Sequence, residues 1–529
     1  MNIWIINPFD QLPNETDVPL RYWALCRTFA QQGHEVIWWS SNFSHLTKSK
    51  RPLCPDTDGF AVRLIETPPY TKNISLARLK NHRAFANGFY SEAMAALQSG
   101  ELQAPDQIVV SLPPLGVAEQ AFRIRDYVRE CKCAKVGTYV PNGTTRPGAK
   151  RTGPGQDPKA ARVEPSHLNT CAPSHSSKAG SPSIISHPPS QQSCQVVVDI
   201  MDAWPETFYQ ALPKLLRKAL GPILLAPMHR SAKRAYQGAD KISAVGQSYL
   251  DLAKTYLTTP PTNNQQPATP THLCYHGTDL ERFAQKPEGR RQQAGLRSSQ
   301  PSSLNKQQTT NNKQPLKAVY LGAMGSGYDL QTIIEVAARW KAEGRFPFQI
   351  HFAGTGPQLE KLKTRSKELG LTSGGTTVFP SGCSVSSAIS HQPSVINDSE
   401  RIIFHGFLQK DAINRLLLSA DLALVPNSPD SLVACPYKAG EYAAASLPML
   451  SCLGGELGNL LKQWDAGSEY KEGDAASLQA AFENYVSDPE VLKQQSLNAR
   501  NMAEALFDRE KTYAELAAFI LANDSADTQ

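Results

Sequence analysis

The sequence predicts an α/β protein built from two Rossmann-like domains, each a doubly wound parallel sheet with helices on both faces. Three observations support this prediction. The chain has 529 residues, which is too many for a single hydrophobic core. Short apolar runs alternate with amphipathic stretches, as expected for buried parallel strands and the helices that connect them. A long polar stretch near the middle interrupts this alternation, which then begins again.

The first strand–helix–strand unit lies at the N-terminus. Residues 2–8 (NIWIINP) are predicted as a buried strand, residues 19–32 as a helix that Gly33 terminates, and residues 34–41 (HEVIWWSS) as the next strand. This spacing is typical of a right-handed βαβ crossover. The alternation continues through strand-forming and helical stretches at 62–68, 82–98, 106–114, 116–130, 195–206, 212–236 and 239–251.

Polar stretches rich in Pro, Ser, Gln and Asn interrupt the chain and set the predicted domain boundaries. Such compositions cannot bury a core, so we predict disordered inserts rather than folded elements. The predicted organisation is a first Rossmann-like domain (1–283) with an insert (142–194), a linker (284–316), a second Rossmann-like domain (317–505) with an insert (372–398), and a C-terminal helix (506–529) that packs back on the first domain.

The second half carries three strands that each run into a glycine loop. Residues 317–327 (KAVYLGAMGSG) and 348–357 (FQIHFAGTGP) are the clearest, and FHG at 404–406 is the third. Glycines at strand ends allow backbone amides to approach a phosphate, although a tight turn alone also requires glycine. The candidate glycines are Gly322, Gly325, Gly354 and Gly356. The dinucleotide fingerprint GxGxxG is absent, which disfavours a dehydrogenase.

Residues 435–450 (CPYKAGEYAAASLPML) are the stretch with the most specific chemistry. Pro436 suits a helix start, and Lys438 and Glu441 lie three residues apart on nearly the same helical face. A helix N-terminus beside a lysine favours an anion such as a phosphate, and the glutamate can accept hydrogen bonds from sugar hydroxyls. The alternative is that Lys438 and Glu441 form a solvated surface ion pair.

Composition and charge exclude several classes of function. The net charge of +6 is mild for this length and does not indicate a nucleic-acid-binding protein. Ten cysteines lack paired metal spacing, which favours a reduced cytosolic setting without a zinc site. The N-terminus does not resemble a signal peptide, and the longest apolar run, at 220–228, is far too short to span a membrane.

The order of motifs resembles a GT-B glycosyltransferase of the group 1, family 4 type. It is most similar to the subgroup acting in capsule, exopolysaccharide and O-antigen synthesis. The resemblance covers nearly the whole chain outside the inserts, and the order and spacing of the motifs make it specific. The motifs that carry it are DIMDAWPE, ADKISAVGQSYLD, YHGTDLERF, VYLGAMG, FAGTGP, FHGFLQKDAINRLLLSADLALVP and PYKAGEYAAASLP.

The resemblance implies transfer of a sugar from a UDP- or GDP-linked donor to a glycan or lipid-linked acceptor, with retention and without a cofactor or an essential metal. The two domains would face a central cleft, with the acceptor on the first domain and the donor on the second. Glu441 matches the second glutamate of the family's paired-glutamate motif and would contact the ribose. Gly322 would lie near the diphosphate, and Phe407 and Leu408 near the base. The catalytic candidates are Glu441, Lys438 and Asp202.

Two departures from the family pattern concern the phosphate contacts. Val433 stands where the family has its first glutamate, and GAMGSGYDL lacks the arginine and lysine that neutralise the diphosphate in many relatives. The departing diphosphate carries negative charge that must be stabilised. Without that arginine and lysine, Lys438 and the glycine-loop amides would have to supply more of the stabilisation. Arg21 either faces a phosphate or forms a salt bridge within its own domain.

The end of the predicted strand at 195–206 is the candidate acceptor side, where Asp199 to Glu206 would face the cleft. Asp199 and Asp202 also raise the possibility of a hydrolase with paired carboxylates. Residues three apart on a regular strand face opposite sides, which disfavours that dyad. One of the two can instead cap the following helix.

Residues 213–235 combine basic and apolar side chains. This pattern fits either peripheral contact with anionic lipid headgroups or a core-packed helix with a solvated basic face. The expected location is cytoplasmic, with peripheral contact at the inner face of a membrane. Two other functions stay open: a sugar-nucleotide epimerase of the same fold, and a catalytically degenerate GT-B scaffold.

Overall fold

The computed structural model describes residues 1–54, 58–73, 75–136, 193–257, 269–284, 315–372 and 401–522. The predicted inserts at 142–194, 284–316 and 372–398 lie almost entirely outside these residues. Residues Met1–Val128 and Cys194–Gln529 form one compact unit. The other unit, Arg129–Ser193, is described only at the end of one helix and at residue 193.

The first half contains a seven-stranded parallel sheet in the order β3-β2-β1-β4-β5-β6-β7. Apolar runs such as NIWII and QIVVSL are buried along nearly their whole length, because helices cover both faces. The strands are β1 (Asn2–Ile6), β2 (Glu35–Ser41), β3 (Ala61–Ile65), β4 (Gln107–Leu112), β5 (Gln195–Ile200), β6 (Lys241–Ala244) and β7 (Thr271–Leu273).

The second half repeats the arrangement in a six-stranded parallel sheet ordered β10-β9-β8-β11-β12-β13. Both sheets therefore have the strand order of a doubly wound Rossmann-like fold, which confirms the predicted fold class. The strands are β8 (Leu316–Leu321), β9 (Phe348–Ala353), β10 (Ile402–Gly406), β11 (Leu422–Val425), β12 (Met449–Ser451) and β13 (Gly467–Glu469).

Helices connect successive strands and cover the sheets. In the first half they are α1 (Arg21–Gln31), α2 (Leu76–Ser99), α3 (Leu115–Val136), α4 (Lys214–Gly238) and α5 (Gln247–Leu257), with short 3-10 turns at Glu206–Ala211 and Leu280–Phe283. In the second half they are α6 (Leu330–Ala342), α7 (Leu359–Glu368), α8 (Lys410–Ser419), α9 (Tyr437–Ala444), α10 (Gly455–Trp464), α11 (Ala475–Ser487), α12 (Pro489–Leu506) and α13 (Arg509–Leu521), with a 3-10 turn at Pro429–Ser431.

The C-terminal helix α13 packs on the first half of the chain. Tyr513, Leu516 and Ile520 are buried in one apolar cluster with residues of β1 and α1. Lys241 of β6 adds a polar contact, since its ammonium donates to the carbonyl oxygens of Phe519 and Ile520 at 3.1 Å each. The helix therefore returns to the first sheet, although the predicted domain boundaries themselves stay predictions.

A carboxylate from the second half caps a helix of the first. Glu456 of α10 accepts hydrogen bonds from the backbone amides of Gln247 and Ser248, at 2.6 and 3.0 Å. It also accepts one from the Tyr275 hydroxyl at 2.7 Å. The amides belong to the first turn of α5, which carries unpaired N–H groups and a positive partial charge. The contact fixes the first turn of α5 to the second half.

Candidate active site

The predicted donor residues lie at the point in the second sheet where the strand order reverses. This point falls between β8 and β11, and α9 follows the second of those strands. Crevices at such reversals, beyond the carboxyl ends of the strands, are where open α/β sheets bind ligands. Lys438 of α9 and Gly322 after β8 meet here, because a Cβ on Gly322 would lie 2.8 Å from Lys438 Nζ.

The glycine loops are joined to one another by backbone hydrogen bonds. The Gly322 amide donates to Ala353, and the Gly354 amide donates to Gly406. Gly354 has a φ of +138°, and a Cβ there would lie 1.9 Å from the Gly322 carbonyl oxygen. Only glycine allows that approach. These two amides therefore hold the loops together, and their glycines have a structural reason to be there.

The remaining predicted glycines occupy two different settings. A Cβ on Gly356 would lie 2.6 Å from the Met324 carbonyl oxygen, so Gly356 also packs loop against loop. Gly325 is more open, since the nearest atoms to a Cβ there belong to the Tyr328 ring at 4.0 Å. Space for a ligand beside the backbone is therefore greater at Gly325 than at Gly354 or Gly356.

The ammonium of Lys438 is shielded from water and forms no ion pair with the described residues. Its Nζ atom is buried and has no hydrogen-bond partner among them. It lies 4.5 Å from the ring centroid of Tyr320 and 4.8 Å from that of Tyr328. The aromatic faces stabilise the cation in part. Burial lowers the pKa of Lys438 to about 7.

Glu441 points to another element and does not pair with Lys438. Its carboxylate lies 3.3 Å from a guanidinium nitrogen of Arg282, which follows β7 in a 3-10 turn. Arg282 also donates to the Asn414 side chain at 2.7 Å. Burial raises the pKa of Glu441, and the charge of Arg282 opposes that rise. The solvated surface pair that was the alternative for Lys438 and Glu441 is therefore wrong.

The two residues expected near the nucleotide base differ in exposure. Phe407 follows β10 directly, and 73% of it is exposed. Leu408 packs partly against the apolar cluster that contains α9. An exposed ring beside the carboxyl ends of the strands offers a stacking surface. The base contact itself stays a prediction.

The structure places Asp199 inside the first domain, where it cannot face an acceptor. Arg21 binds its two carboxylate oxygens at 2.8 and 2.9 Å. Tyr22 and Ser243 hydroxyls each donate to it at 2.7 Å. Burial alone would raise the pKa of Asp199, but Arg21 and these hydrogen bonds outweigh it and hold the pKa below its ordinary value. The prediction that Asp199 faces an acceptor is wrong. Of the two alternatives for Arg21, the structure shows the salt bridge within its own domain.

Asp202 lies after β5 and organises the loop that follows. Its carboxylate accepts hydrogen bonds from the Ala203 amide at 2.8 Å, from the Trp204 indole at 3.1 Å and from the Thr207 hydroxyl at 3.3 Å. Burial raises its pKa against these bonds. Asp199 is buried, and both its oxygens are engaged by Arg21, Tyr22 and Ser243, so it is not available as one of two carboxylates in a hydrolase site.

Sequence reasoning missed the residues that surround Lys438 and Glu441 from other segments. Arg282 lies 159 positions before Glu441 in the sequence, and Asn414 and Tyr320 come from further segments. The only available signal was the motif YHGTDLERF, which contains Arg282 within the family resemblance. Spacing along the chain could not show that the two side chains meet.

Two negative findings concern the described residues. No cluster of three or more His, Cys, Asp or Glu side chains there is arranged to hold a metal ion. In the same part of the chain, every helix is too short or too polar to cross a membrane.

Comparisons with known proteins identify the fold. Neither a scan against protein-family models nor a search of curated proteins found a match. The sucrose-phosphate synthase of Thermosynechococcus elongatus is similar at a TM-score of 0.57 and 13% identity, over 98% of each chain. WaaG, a glycosyltransferase involved in lipopolysaccharide biosynthesis, is similar at a TM-score of 0.52 and 12% identity, over 98% of this chain and 100% of WaaG.

A third similar structure is Alr3699/HepE of Anabaena in complex with UDP and glucose. The TM-score is 0.50 and the identity 10%, over 98% of this chain and 99% of HepE. Identities this low establish a fold rather than an activity. The chain has the GT-B fold of these glycosyltransferase structures, which confirms the fold that the motif order predicted.

Proposed function

We propose that this chain is a retaining glycosyltransferase that moves a sugar from a UDP- or GDP-linked donor to a glycan or lipid-linked acceptor in surface polysaccharide synthesis. One observation carries the proposal. The water-shielded ammonium of Lys438 has no described hydrogen-bond partner and lies against Gly322, where the strand order of the second sheet reverses. A buried cation without a counter-ion costs free energy, and an anionic ligand removes that cost.

The proposed chemistry assigns the donor diphosphate to Lys438. Cleavage of the anomeric C–O bond leaves its electron pair on the diphosphate, which becomes more negative as the bond breaks. The Lys438 ammonium and the N-terminus of α9 both favour that charge. A phosphate beside Lys438 would also return the amine, with its pKa of about 7, to its charged form.

Glu441 is assigned to the ribose hydroxyls, as the family resemblance implies. The charge of Arg282 opposes the rise in the pKa of Glu441 that burial causes, and Arg282 fixes the position of the carboxylate at 3.3 Å. Gly322, Gly325, Gly354 and Gly356 shape the loops around the diphosphate, and Phe407 and Leu408 border the base. On the acceptor side, Asp202 is the candidate catalytic carboxylate. No essential metal enters the proposal.

The proposal includes peripheral contact with the inner face of a membrane through residues 213–235. Leu220, Ile223 and Leu224 lie on one face of α4 and are 42%, 71% and 58% exposed. Arg230 and Lys233 are exposed further along the same helix. Exposed apolar side chains followed by cations suit the surface of an anionic bilayer, which would bring a lipid-linked acceptor to the enzyme.

The proposal can be tested by incubating the full chain with UDP-glucose, UDP-galactose and GDP-mannose and a lipid-linked glycan extract. We expect one donor to be consumed, with release of its nucleoside diphosphate and an α-linked product from an α-linked donor by NMR. An inverted product would exclude retention. Binding of nucleotide without consumption of any donor would favour the catalytically degenerate scaffold. Consumption that yields only a C-2 or C-4 epimer would favour the epimerase.

A further inference from the structure

A cluster of cations and aromatic rings lies beyond the carboxyl end of the first sheet. We call it the arginine–aromatic cluster and define it by Phe9, His45, Lys48, Tyr70, Arg78 and Trp204. These side chains come from the loops after β1, β2, β3 and β5 and from the first turn of α2. Ligands of doubly wound sheets bind at this edge.

Arg78 is held between two aromatic rings. Its guanidinium carbon lies 5.5 Å from the ring centroid of Phe9 and 5.2 Å from that of Trp204. His82 stands between these rings, at 5.3 Å from Phe9 and 5.2 Å from Trp204. Trp204 is 3% exposed and His82 6%, so these two rings hold the guanidinium in place, whereas Phe9 is half-buried. A guanidinium carries five N–H donors, which leaves Arg78 able to donate to a ligand as well as to the protein.

The hydrogen bonds of Arg78 and Lys48 go to neutral acceptors. Arg78 donates to His82 Nε2 at 3.2 Å and to the Asn73 carbonyl oxygen at 2.8 Å. Lys48 donates to the Asn73 side-chain oxygen at 2.7 Å and lies 3.4 Å from His45 Nδ1. Among the described residues, neither cation forms a salt bridge. Both positive charges therefore lack a counter-ion within bonding distance.

Two other arginines of the first domain, unlike Arg78, are paired with carboxylates. Arg21 is paired with Asp199 at 2.8 Å, and Arg51 with Glu15 at 3.3 Å. The carboxylate whose charge acts on Arg78 is that of Asp202, and its oxygens are occupied by the Ala203, Trp204 and Thr207 donors. Among the described residues, Arg21 and Arg51 are therefore paired with carboxylates, whereas Lys48 and Arg78 are not.

The positive charges in the cluster lower the pKa values of Lys48 and of the histidines beside it. Burial and then the charge of Arg78 lower the pKa of Lys48. Burial and then the charges of Lys48 and Arg78 lower the pKa of His45 to about 4. Burial and then Arg78 lower the pKa of His82 to about 3. Lys48 also has a φ of +57°, a backbone conformation that costs free energy for a lysine.

We propose that Lys48 and Arg78 bind an oxyanion carried by the acceptor, a phosphate or a carboxylate, beside the half-buried ring of Phe9. The inference rests on the proposed function, because it names the chemical class of the acceptor. A planar guanidinium and an ammonium at the same edge of the sheet match the oxygens of a phosphate or carboxylate. The anion relieves the repulsion between the two cations, which a neutral sugar cannot do.

The test is calorimetric titration of the full chain with glucose 6-phosphate, glucuronic acid and glucose. We expect a charged sugar to bind at least tenfold more tightly than glucose. Preference for glucose 6-phosphate identifies a phosphorylated acceptor, and preference for glucuronic acid an acidic sugar. Arg78→Gln and Lys48→Gln should each weaken binding about tenfold or more. Arg83→Gln, an exposed arginine on the same helix, is the matched control and should change nothing.

Three results would overturn the inference. One is equal binding of glucose and the charged sugars. Another is the same affinity in Arg78→Gln and Arg83→Gln. The third is loss of binding in Lys438→Met alone, which would place the charged sugar in the donor site. If Arg78→Gln does not fold, Lys48→Gln and the charge-retaining Arg78→Lys decide the matter. UDP affinity should be the same in all the cluster variants, so failure here is distinguishable from failure of the proposed function.

Discussion

At the scale of single residues, Asp199 and Asp202 show two carboxylates on one segment with different tasks. Asp199 neutralises Arg21 inside the domain, whereas Asp202 lies after the strand and accepts hydrogen bonds from the loop that follows. The motif DIMD places both at a strand end but does not show which one is enclosed. The partner that encloses Asp199 lies 178 positions away, so only the tertiary structure separates the two roles.

Replacement of the two aspartates should therefore have different consequences. Asp199→Asn leaves the Arg21 guanidinium buried without its counter-ion and should lower the free energy of unfolding by about 3–5 kcal/mol. Asp202→Asn replaces one accepting oxygen with an NH2 group that faces a donor and should cost about 1–2 kcal/mol, while transfer activity falls at least tenfold. Urea unfolding and a transfer assay measure the two quantities. Equal destabilisation by both changes would contradict this assignment.

The Lys438 pKa of about 7 gives the donor site a pH dependence. Below pH 7 the amine is charged and able to bind a phosphate, and above pH 7 it is increasingly neutral. UDP affinity should therefore fall as pH rises from 7.5 to 9, by up to about tenfold per unit. Lys438→Met should bind UDP weakly and lose this dependence, whereas Lys471→Met, an exposed lysine, should keep it. The same pH profile in Lys438→Met and the native chain would refute the role of Lys438.

At the scale of elements, strands and helices with strong apolar periodicity were predictable and short ones were not. The predicted run at 34–41 corresponds to β2 (Glu35–Ser41), and the run at 106–114 contains β4 (Gln107–Leu112). β7 (Thr271–Leu273) and β13 (Gly467–Glu469) have three residues each and lack a distinctive apolar pattern. Their pairing with β6 and β12 fixes them, and that information is not local.

Helix α4 shows why periodicity alone left its role open. The sequence showed apolar and basic residues but not which apolar residues the fold would leave exposed. Leu225 and Tyr236 are buried, whereas Ile223 and Leu224 are exposed. The direction of the helix relative to the sheet decides between these sets, and that direction depends on tertiary packing.

The exposed face of α4 leads to a prediction about membranes. Ile223→Asp should reduce binding of the full chain to phosphatidylglycerol vesicles at least fivefold, because it removes apolar area and adds a repelled charge. Leu497→Asp is a matched control, since Leu497 is 43% exposed on α12 in the second half. Vesicle sedimentation measures both. Equal binding by the native chain and Ile223→Asp would exclude α4 as the contact.

At the scale of the whole molecule, the alternation of strands and helices was sufficient to predict two doubly wound sheets. The contacts between the two halves were not predictable, because they join residues far apart in the sequence. Glu456 caps the first turn of α5 from 209 positions away, and Arg282 reaches Glu441 across 159 positions. Glu456 carried no signal in its own segment, and the segment around Glu441 did not identify Arg282 as its partner.

The sequence marks the two proposed substrate sides to different degrees. Lys438 and Glu441, which are proposed to bind the donor, stand in a motif that the family resemblance marks, whereas their partners come from other segments. The arginine–aromatic cluster carries no motif, and its members come from four loops and one helix. It can be recognised only in the folded structure, where the first sheet brings Lys48 and Arg78 to the same edge.

We propose that the second domain binds a nucleoside diphosphate through Lys438 and Glu441. Calorimetric titration of the full chain with UDP and with GDP measures this binding. We predict a Kd between about 1 μM and 1 mM for one of the two. Glu441→Gln and Lys438→Met should each weaken that binding at least tenfold, whereas Glu472→Gln, an exposed glutamate, should not change it. Absence of binding to both nucleotides, or equal affinity in the native chain and Glu441→Gln, would contradict the claim.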